Sequence, residues 1–160
     1  MNKKISIYTD GSYFKIQDRG GYGIVISYDD QRIELSRGFE GTTSNRMELM
    51  GVIVALEKIE EFVNGYNITI YSDSKYVINS VEKGWLESWA HANWKRTNGK
   101  KLKNADLWQR FYPLMMKHNF NFQWVKAHNG HEEHDRADQL AYKSANGKRF
   151  KRDLSTNCQP

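Results

Sequence analysis

Apolar and polar residues alternate strictly in two places, and the two stretches are nearly the same octet: Ile5-Ser-Ile-Tyr-Thr-Asp-Gly-Ser12 and Ile68-Thr-Ile-Tyr-Ser-Asp-Ser-Lys75. Period-two alternation puts Ile5, Ile7 and Thr9 on one face of a strand, and Ile68, Ile70 and Ser72 on one face of another. The first strand is predicted over 3–12. Gly20-Gly21 opens a second near 22–28, Asp29-Asp30 turns the chain, and 31–39 make a third; such tight connections imply antiparallel hairpins. From about 45 to 62 the period lengthens. Leu49, Val52, Ile53, Leu56 and Ile59 recur at three- and four-residue spacing, the signature of a helix, which Asn64-Gly65 ends. A strand over 67–72 follows, then a short helix from Ser74 to Glu82 and a Trp- and Lys-rich helix reaching about 96. Thr97-Asn98-Gly99 interrupts before a helix from Asn104 to Lys117. Phe120 to Lys126 is a fifth strand, the Asn129-Gly130 turn leads to a helix over 132–145, and Gly147 begins a loose tail. The pattern predicts an α/β domain over residues 1–146: a mixed five-stranded sheet, three antiparallel-linked N-terminal strands and two further parallel strands, flanked by helices. Residues 147–160 are expected to form a flexible tail.

Length changes this picture little, since 160 residues suit one domain with a sizeable core. No apolar run approaches the roughly 18 residues of a membrane span, and Met1 to Ser6 lacks a signal-peptide core. The one cysteine, Cys158, has no internal disulfide partner. A cytoplasmic protein without a membrane partner is expected. Charge is more informative. Seven basic and two acidic residues lie between Lys83 and Arg110, which accounts for the whole net charge of +5. That segment also holds Trp85, Trp89, Trp94 and Trp108. Basic side chains interleaved with aromatics suit a nucleic-acid backbone; equally, they suit a solvated helix pinned to the core by its tryptophans.

The two octets end on aspartates, Asp10 and Asp73, at corresponding ends of two strands. Ligand sites in α/β sheets gather beyond the carboxyl ends of strands, where paired carboxylates would hold a hard cation such as Mg²⁺. Glu48, in the first turn of the long helix, and Asp138 in the last helix are further candidates. Each has a purely local explanation. Asp10-Gly11 forms a turn, Asp73 caps the next helix, Asn45-x-x-Glu48 is a capping box, and Asp138 sits on a polar helical surface. His128, His131 and His134 invite a zinc reading, but no cysteine lies near, and Asn129-Gly130 breaks the helix. An exposed histidine on a Gly-containing turn better suits a proton carrier.

Together these segments resemble one family. Tyr8-Thr-Asp-Gly-Ser12, Thr42-Thr-Ser-Asn-Arg-Met-Glu-Leu49, Tyr71-Ser-Asp-Ser74, Lys103-Asn-Ala-Asp-Leu-Trp108, Trp124-Val-Lys-Ala-His-Asn-Gly-His131 and Arg136-Ala-Asp138 follow the order of type 1 ribonuclease H motifs. The resemblance implies a ribonuclease H fold and hydrolysis of the RNA strand of RNA–DNA hybrids, leaving 5′-phosphate and 3′-hydroxyl ends, with roles in RNA-primer and R-loop removal. It implies two Mg²⁺ ions, Mn²⁺ being a substitute, on Asp10, Glu48, Asp73 and Asp138, with Asp10 bridging. His128 matches a mobile histidine that assists proton transfer or product release. Lys83 to Lys103 resembles the basic handle of bacterial members, bringing Trp85, Trp89, Lys95, Lys100, Lys101 and Lys103 to the hybrid. Thr43 and Asn104 match positions that hold a DNA-strand phosphate. Asn45, with backbone groups of Gly11 and Ser12, would read the minor groove and its 2′-hydroxyls.

The chain departs from the pattern in three places. Tyr13 to Gly20 replaces a Gly-Asn-Pro-Gly type loop, Ser44 replaces the first of two asparagines, and Lys75 replaces a frequent glutamine. A monomer acting on a hybrid duplex, with no obligate protein partner, is expected. A hybrid-binding module without catalysis and a DNA-directed nuclease on the same fold are the alternative classes.

Overall fold

The two octets lie side by side. In the computed structural model, which describes residues 3–62, 65–96, 98–126 and 130–153, β1 (Lys4–Phe14) and β4 (Asn67–Ser72) pair in parallel. Ile5 faces Ile68, Ile7 faces Ile70, and Tyr8 faces Tyr71 with the rings stacked at 4.6 Å. β2 (Arg19–Tyr28) and β3 (Gln31–Glu40) continue the sheet as antiparallel hairpins, and β5 (Phe120–Trp124) adds in parallel to β4. The order is β5-β4-β1-β2-β3-β6. β6 (Lys151–Arg152) pairs with Phe39 and Glu40, so the sheet has six strands where five were expected.

Two helices sandwich the sheet's centre, and strand alternation decides which residues meet which helix. Ile7, Thr9 and Gly11 face α1 (Ser44–Ile59), whose Leu49, Val52, Ile53, Leu56 and Ile59 are fully buried, as their spacing predicts. Asp10 and its cross-strand neighbour Gly23 face α5 (Glu132–Ala145). A Cβ on Gly23 would stand 2.0 Å from the carbonyl oxygen of Ala137 and 2.6 Å from the amide nitrogen of Ala141. Only hydrogen at that position lets α5 lie so close. On the α1 side, a Cβ on Gly11 would meet the backbone nitrogen of Glu48 at 2.8 Å. α2 (Lys75–Glu82), α3 (Trp85–His91) and α4 (Ala105–Lys117) complete the layer on α1's side, α4 being buried through Leu107, Trp108, Phe111 and Leu114. Among the described residues, no helix is long and apolar enough to cross a membrane.

The Trp- and Lys-rich helix stops at His91, short of the expected 96, because Asn93 and Trp94 adopt left-handed backbone angles (φ of 57° and 63°). For a side chain as bulky as tryptophan that conformation is costly; Trp94 is held there by edge-on packing against Tyr112. Residues 95–101 then form a small hairpin in which Lys95 bridges Lys101 and Gly99 supplies the positive φ of the turn.

Residues 147–153, expected to belong to a loose tail, are anchored by a buried ion cluster. The Arg46 guanidinium donates to both oxygens of Asp153 at 2.7 and 2.9 Å, and to both oxygens of Asp106 at 2.9 and 2.8 Å. Thr42 adds a hydroxyl to Asp153 at 2.8 Å. Burial alone would raise the carboxyl of Asp106, yet Arg46 holds it below the usual range. Removing one partner of a buried pair strands the other. Asp153→Ala should therefore destabilise the protein by about 3 kcal/mol in urea unfolding. A loss under about 0.5 kcal/mol, the scale of an ordinary surface substitution, would mean that the cluster does not anchor the C-terminal segment.

Candidate active site

Beyond the carboxyl ends of β1 and β4 the acids converge, and their local explanations fall away one by one. Asp10 is not in a turn: β1 continues through Gly11 and Ser12 to Phe14, and Asp10 is 5% exposed. Asp73 does not cap α2; Ser74 does, accepting a hydrogen bond from the Val77 amide at 3.2 Å. Glu48 is not in a capping box, because the N-cap of α1 is Thr43, whose hydroxyl accepts from the Arg46 amide. Glu48 thus lies a full turn inside the helix, with Oε2 buried and without a hydrogen-bond partner. Asp138, on α5 one position beyond the buried Ala137, hydrogen-bonds Asp10.

The four carboxyls form one electrostatic unit. Burial, the charge of Asp73 and the hydrogen bond with Asp138 push Asp10 up to about 8. Burial, then the charges of Asp10 and Asp73, raise Glu48 well above the usual carboxylate range. Asp10 and Glu48 thus respond as carboxyls crowded together away from water. A hard cation is a counter-charge that such oxygen donors would fit.

Sequence reasoning misses one member of the cluster. His134 on α5 is 2% exposed, and Asp10, Asp73 and His134 each offer a ligand atom within 4.8 Å of the other two. Burial lowers its proton affinity, against the pull of Asp73, Asp138 and Asp135. The signal is present in the His128, His131, His134 spacing. The lack of nearby cysteines argues against a metal there, whereas the partners are carboxylates from other elements. His131 takes the N-cap position of α5, with its ring 5.4 Å from Tyr8 and 5.6 Å from Tyr71. His128 lies outside the described residues.

Glu48 and Asp73 open into a groove of about 540 Å³, bordered by Ser44, Asn45, Lys75, Trp124 and Lys126. Ser44, Asn45 and Lys75 are exposed along it. Trp124 donates its indole N–H to the Asp73 carbonyl at 3.3 Å, and Lys75 lies 5.0 Å from its ring. Gly11 and Ser12 stay within β1, where the Gly11 amide donates to Asp10 at 2.9 Å. Asn104 departs from expectation. It is 2% exposed and turned inward, donating to the Tyr76 hydroxyl at 3.0 Å and accepting from Arg46 at 3.3 Å, so its side chain braces the interior.

The basic segment splits into two populations. Trp108 is core, and Trp89 and Trp94 pack against that core, so three of the four tryptophans serve packing. Trp85 is 43% exposed, with Lys83 5.7 Å from its ring. Lys95, Lys100, Lys101 and Lys103 are all exposed around the 95–101 hairpin.

Comparison with known proteins agrees with this geometry. The family described as RNase H matches residues 2–146. A ribonuclease H of Desulforamulus reducens is 46% identical over 143 residues, covering 89% of this chain and 88% of that protein. Ribonuclease HI of Synechocystis sp. is 44% identical over 138 residues, covering 86% and 84%. Among solved structures, LC9-RNase H1, a type 1 RNase H with the type 2 active-site motif, superposes with a TM-score of 0.80 at 27% identity, covering 93% of this chain and 75% of that one.

Without metal, the folded protein should hold protons on this cluster that the unfolded chain releases. For Asp10 the folded value of about 8 exceeds the ordinary 3.8, so its stabilising contribution is complete below the ordinary value and lost as pH rises to about 8. Glu48 acts in the same sense. His134 acts oppositely, but only up to its ordinary 6.5. Between pH 7 and 8, stability in EDTA should fall by roughly 1 kcal/mol per unit, and a divalent ion should restore more at pH 8 than at pH 7. Thermal unfolding reads both; a Tm that climbs with pH in EDTA would contradict the crowded-carboxylate picture.

Proposed function

The chain belongs to the ribonuclease H family, and from that footing we propose how its residues divide the work of an endonuclease that cleaves the RNA strand of RNA–DNA hybrids. The family uses divalent metal and acts on nucleic acid. Our reading is that two Mg²⁺ ions are held by Asp10, Glu48, Asp73 and Asp138, with Asp10 between them and Mn²⁺ able to replace them. The observation that carries it is the in-register pairing of the two octets, which sets Asp10 beside Asp73 and within reach of Glu48 and Asp138.

Buried carboxylates raised by one another, and a buried Glu48 oxygen with no partner, are the donor set a hard cation requires. When bound, such ions stabilise the attacking and leaving oxygens of an in-line displacement and acidify the attacking water. The protein's own share is placement. The backbone around Gly11 and the exposed Ser44 and Asn45 border the approach to Glu48, where 2′-hydroxyls would select RNA. Thr43, at the N-terminus of α1, and Lys75 face the backbone phosphates. The 95–101 hairpin with Lys95, Lys100, Lys101 and Lys103, and Trp85 at the start of α3, grip the DNA strand. His128 assists proton transfer or product release. Products are a 5′-phosphate and a 3′-hydroxyl, and the protein works as a monomer.

Labelled RNA–DNA hybrid, duplex DNA, duplex RNA and single strands, incubated with Mg²⁺ or EDTA, test this directly. Only the RNA strand of the hybrid should be cut, and only with the ion. Asp10→Asn should cost about three orders of magnitude in rate, the upper end for losing one electrostatic group at a reacting centre, with an unchanged circular-dichroism spectrum. Equal cleavage of duplex DNA would overturn the substrate assignment. Reversing Lys100 and Lys101 to Glu should weaken hybrid binding and reduce the slope of log K against log salt by about 1 for each phosphate no longer neutralised. An unaltered slope would remove the hairpin from the interface.

A further inference from the structure

His134 has no place in a carboxylate-only metal site, yet the fold puts it in the middle of one. It projects from α5 four residues before Asp138, one helical turn away on the same face, and is 2% exposed. A ring nitrogen of His134, an oxygen of Asp10 and an oxygen of Asp73 lie within 4.8 Å of one another. Donors about 2.0–2.2 Å from a shared ion stand at most about 4.4 Å apart across it, so rotamer-scale adjustment closes the three on one cation. Its Nε2 is buried with no hydrogen-bond partner. Histidine kept for packing normally satisfies both ring nitrogens when buried; here one is left over, in a site whose remaining donors are carboxylates.

We infer that His134 is a direct nitrogen ligand to the cation held by Asp10 and Asp73, making one of the two metal positions an imidazole–carboxylate site with a preference for first-row transition ions over Mg²⁺. The chemistry follows from the donor set. Mg²⁺ takes oxygen donors and retains water, gaining little from an imidazole. Mn²⁺, Co²⁺ and Zn²⁺ accept mixed nitrogen and oxygen ligands, with affinity rising from Mn²⁺ toward the later ions. A position built from two carboxylates and one imidazole therefore discriminates among ions available to the same protein. This inference rests on the metal-binding reading of the cluster, and its test separates the two.

The decisive measurement uses the wild-type protein with histidines labelled with ¹⁵N or left at natural abundance. Pulsed electron paramagnetic resonance of bound Mn²⁺ should show nitrogen coupling that changes with the label. His134→Asn, which keeps a polar side chain of similar reach, should remove that coupling. Calorimetric titration should then show at least a tenfold loss of Co²⁺ affinity in His134→Asn, against less than a threefold change for Mg²⁺. Absence of coupling in the wild type, its persistence in His134→Asn, or an equal loss for both ions would overturn the assignment while leaving the carboxylate site intact. If the wild type binds neither ion at a site abolished by Asp10→Asn, the metal reading of the whole cluster falls instead.

Discussion

Several carboxyls forced together away from water are the constraint around which this fold is arranged. Two unit charges about 4 Å apart interact with about 4 kcal/mol at an effective dielectric of 20. Here burial and the charge of Asp73 raise both Asp10 and Glu48, and the charge of Asp10 raises Glu48 further. Left to itself, such a cluster would spread. It is held because its members come from elements fixed independently of it. β1 and β4 are locked in register by Ile5, Ile7, Ile68 and Ile70, α1 rests directly on Gly11, and α5 rests on Gly23. The absence of a Cβ at residue 23 is what admits α5, and with it His134 and Asp138, to Asp10. At low pH bound protons relieve the repulsion; as pH rises they leave, and a divalent cation entering the cluster would take their place.

Lys75 and Lys126 line the groove beside Glu48 and Asp73, but the excess of opposite charge is concentrated in another stretch of the chain. The excess of lysine and arginine lies at the 95–101 hairpin and its flanks, while the rest of the chain is balanced. A nucleic-acid duplex brings a dense row of negative charge, which must be attracted overall and yet approach a cluster of acids. Separating the two functions would solve this: exposed lysines would gather the backbone phosphates, and metal ions would neutralise the acids where one phosphate must react. The tryptophans divide by the same logic. Trp89, Trp94 and Trp108 fasten the hairpin's base to the core, and Trp85, the fourth tryptophan of the segment, offers an exposed face beside Lys83.

Much of this is legible in the chain because it is written in local periodicity. The duplicated octet predicts two strands, and their in-register pairing follows from having the same apolar face to bury. The α1 spacing predicts its buried stripe residue by residue. What is not legible depends on partners distant in sequence. Lys151 and Arg152 carry no strand signal; they pair with Phe39 and Glu40 because Asp153 is pulled in by Arg46, over a hundred positions away. The early end of α3 comes from a left-handed tryptophan that only tertiary packing tolerates. Asn104 reads as a phosphate contact until its surroundings place it against Tyr76 and Arg46. His134 is visible as spacing but not as chemistry, since its co-ligands arrive on β1 and just after β4. Conversely, the capping and turn explanations for Asp10, Glu48 and Asp73 are sound local arguments. They fail because Thr43 and Ser74 do the capping and because β1 runs straight through Asp10.

Arg46 ties these separate pieces into one mechanical unit. Its guanidinium touches Asn104 and Asp106 at the start of α4, directly after Lys103, and Asp153 just after β6. In sequence it stands next to Asn45, which borders the groove, and two residues before Glu48. A side chain so fully buried, with both carboxylates bound through paired hydrogen bonds, has a narrow range of positions. Its backbone inherits that restriction, and so do the first turn of α1 and the entry of Glu48 into the acid cluster. The root of the basic hairpin, the groove edge at Asn45 and the Glu48 carboxyl are therefore registered to a common point. With phosphates gripped at the hairpin and one cut at the acids, the spacing between them would be a property of one buried cation rather than of several loops. That accounts for a charged cluster in the interior: an apolar replacement of equal volume could match its stability, but would not fix three surfaces relative to one another through directional bonds.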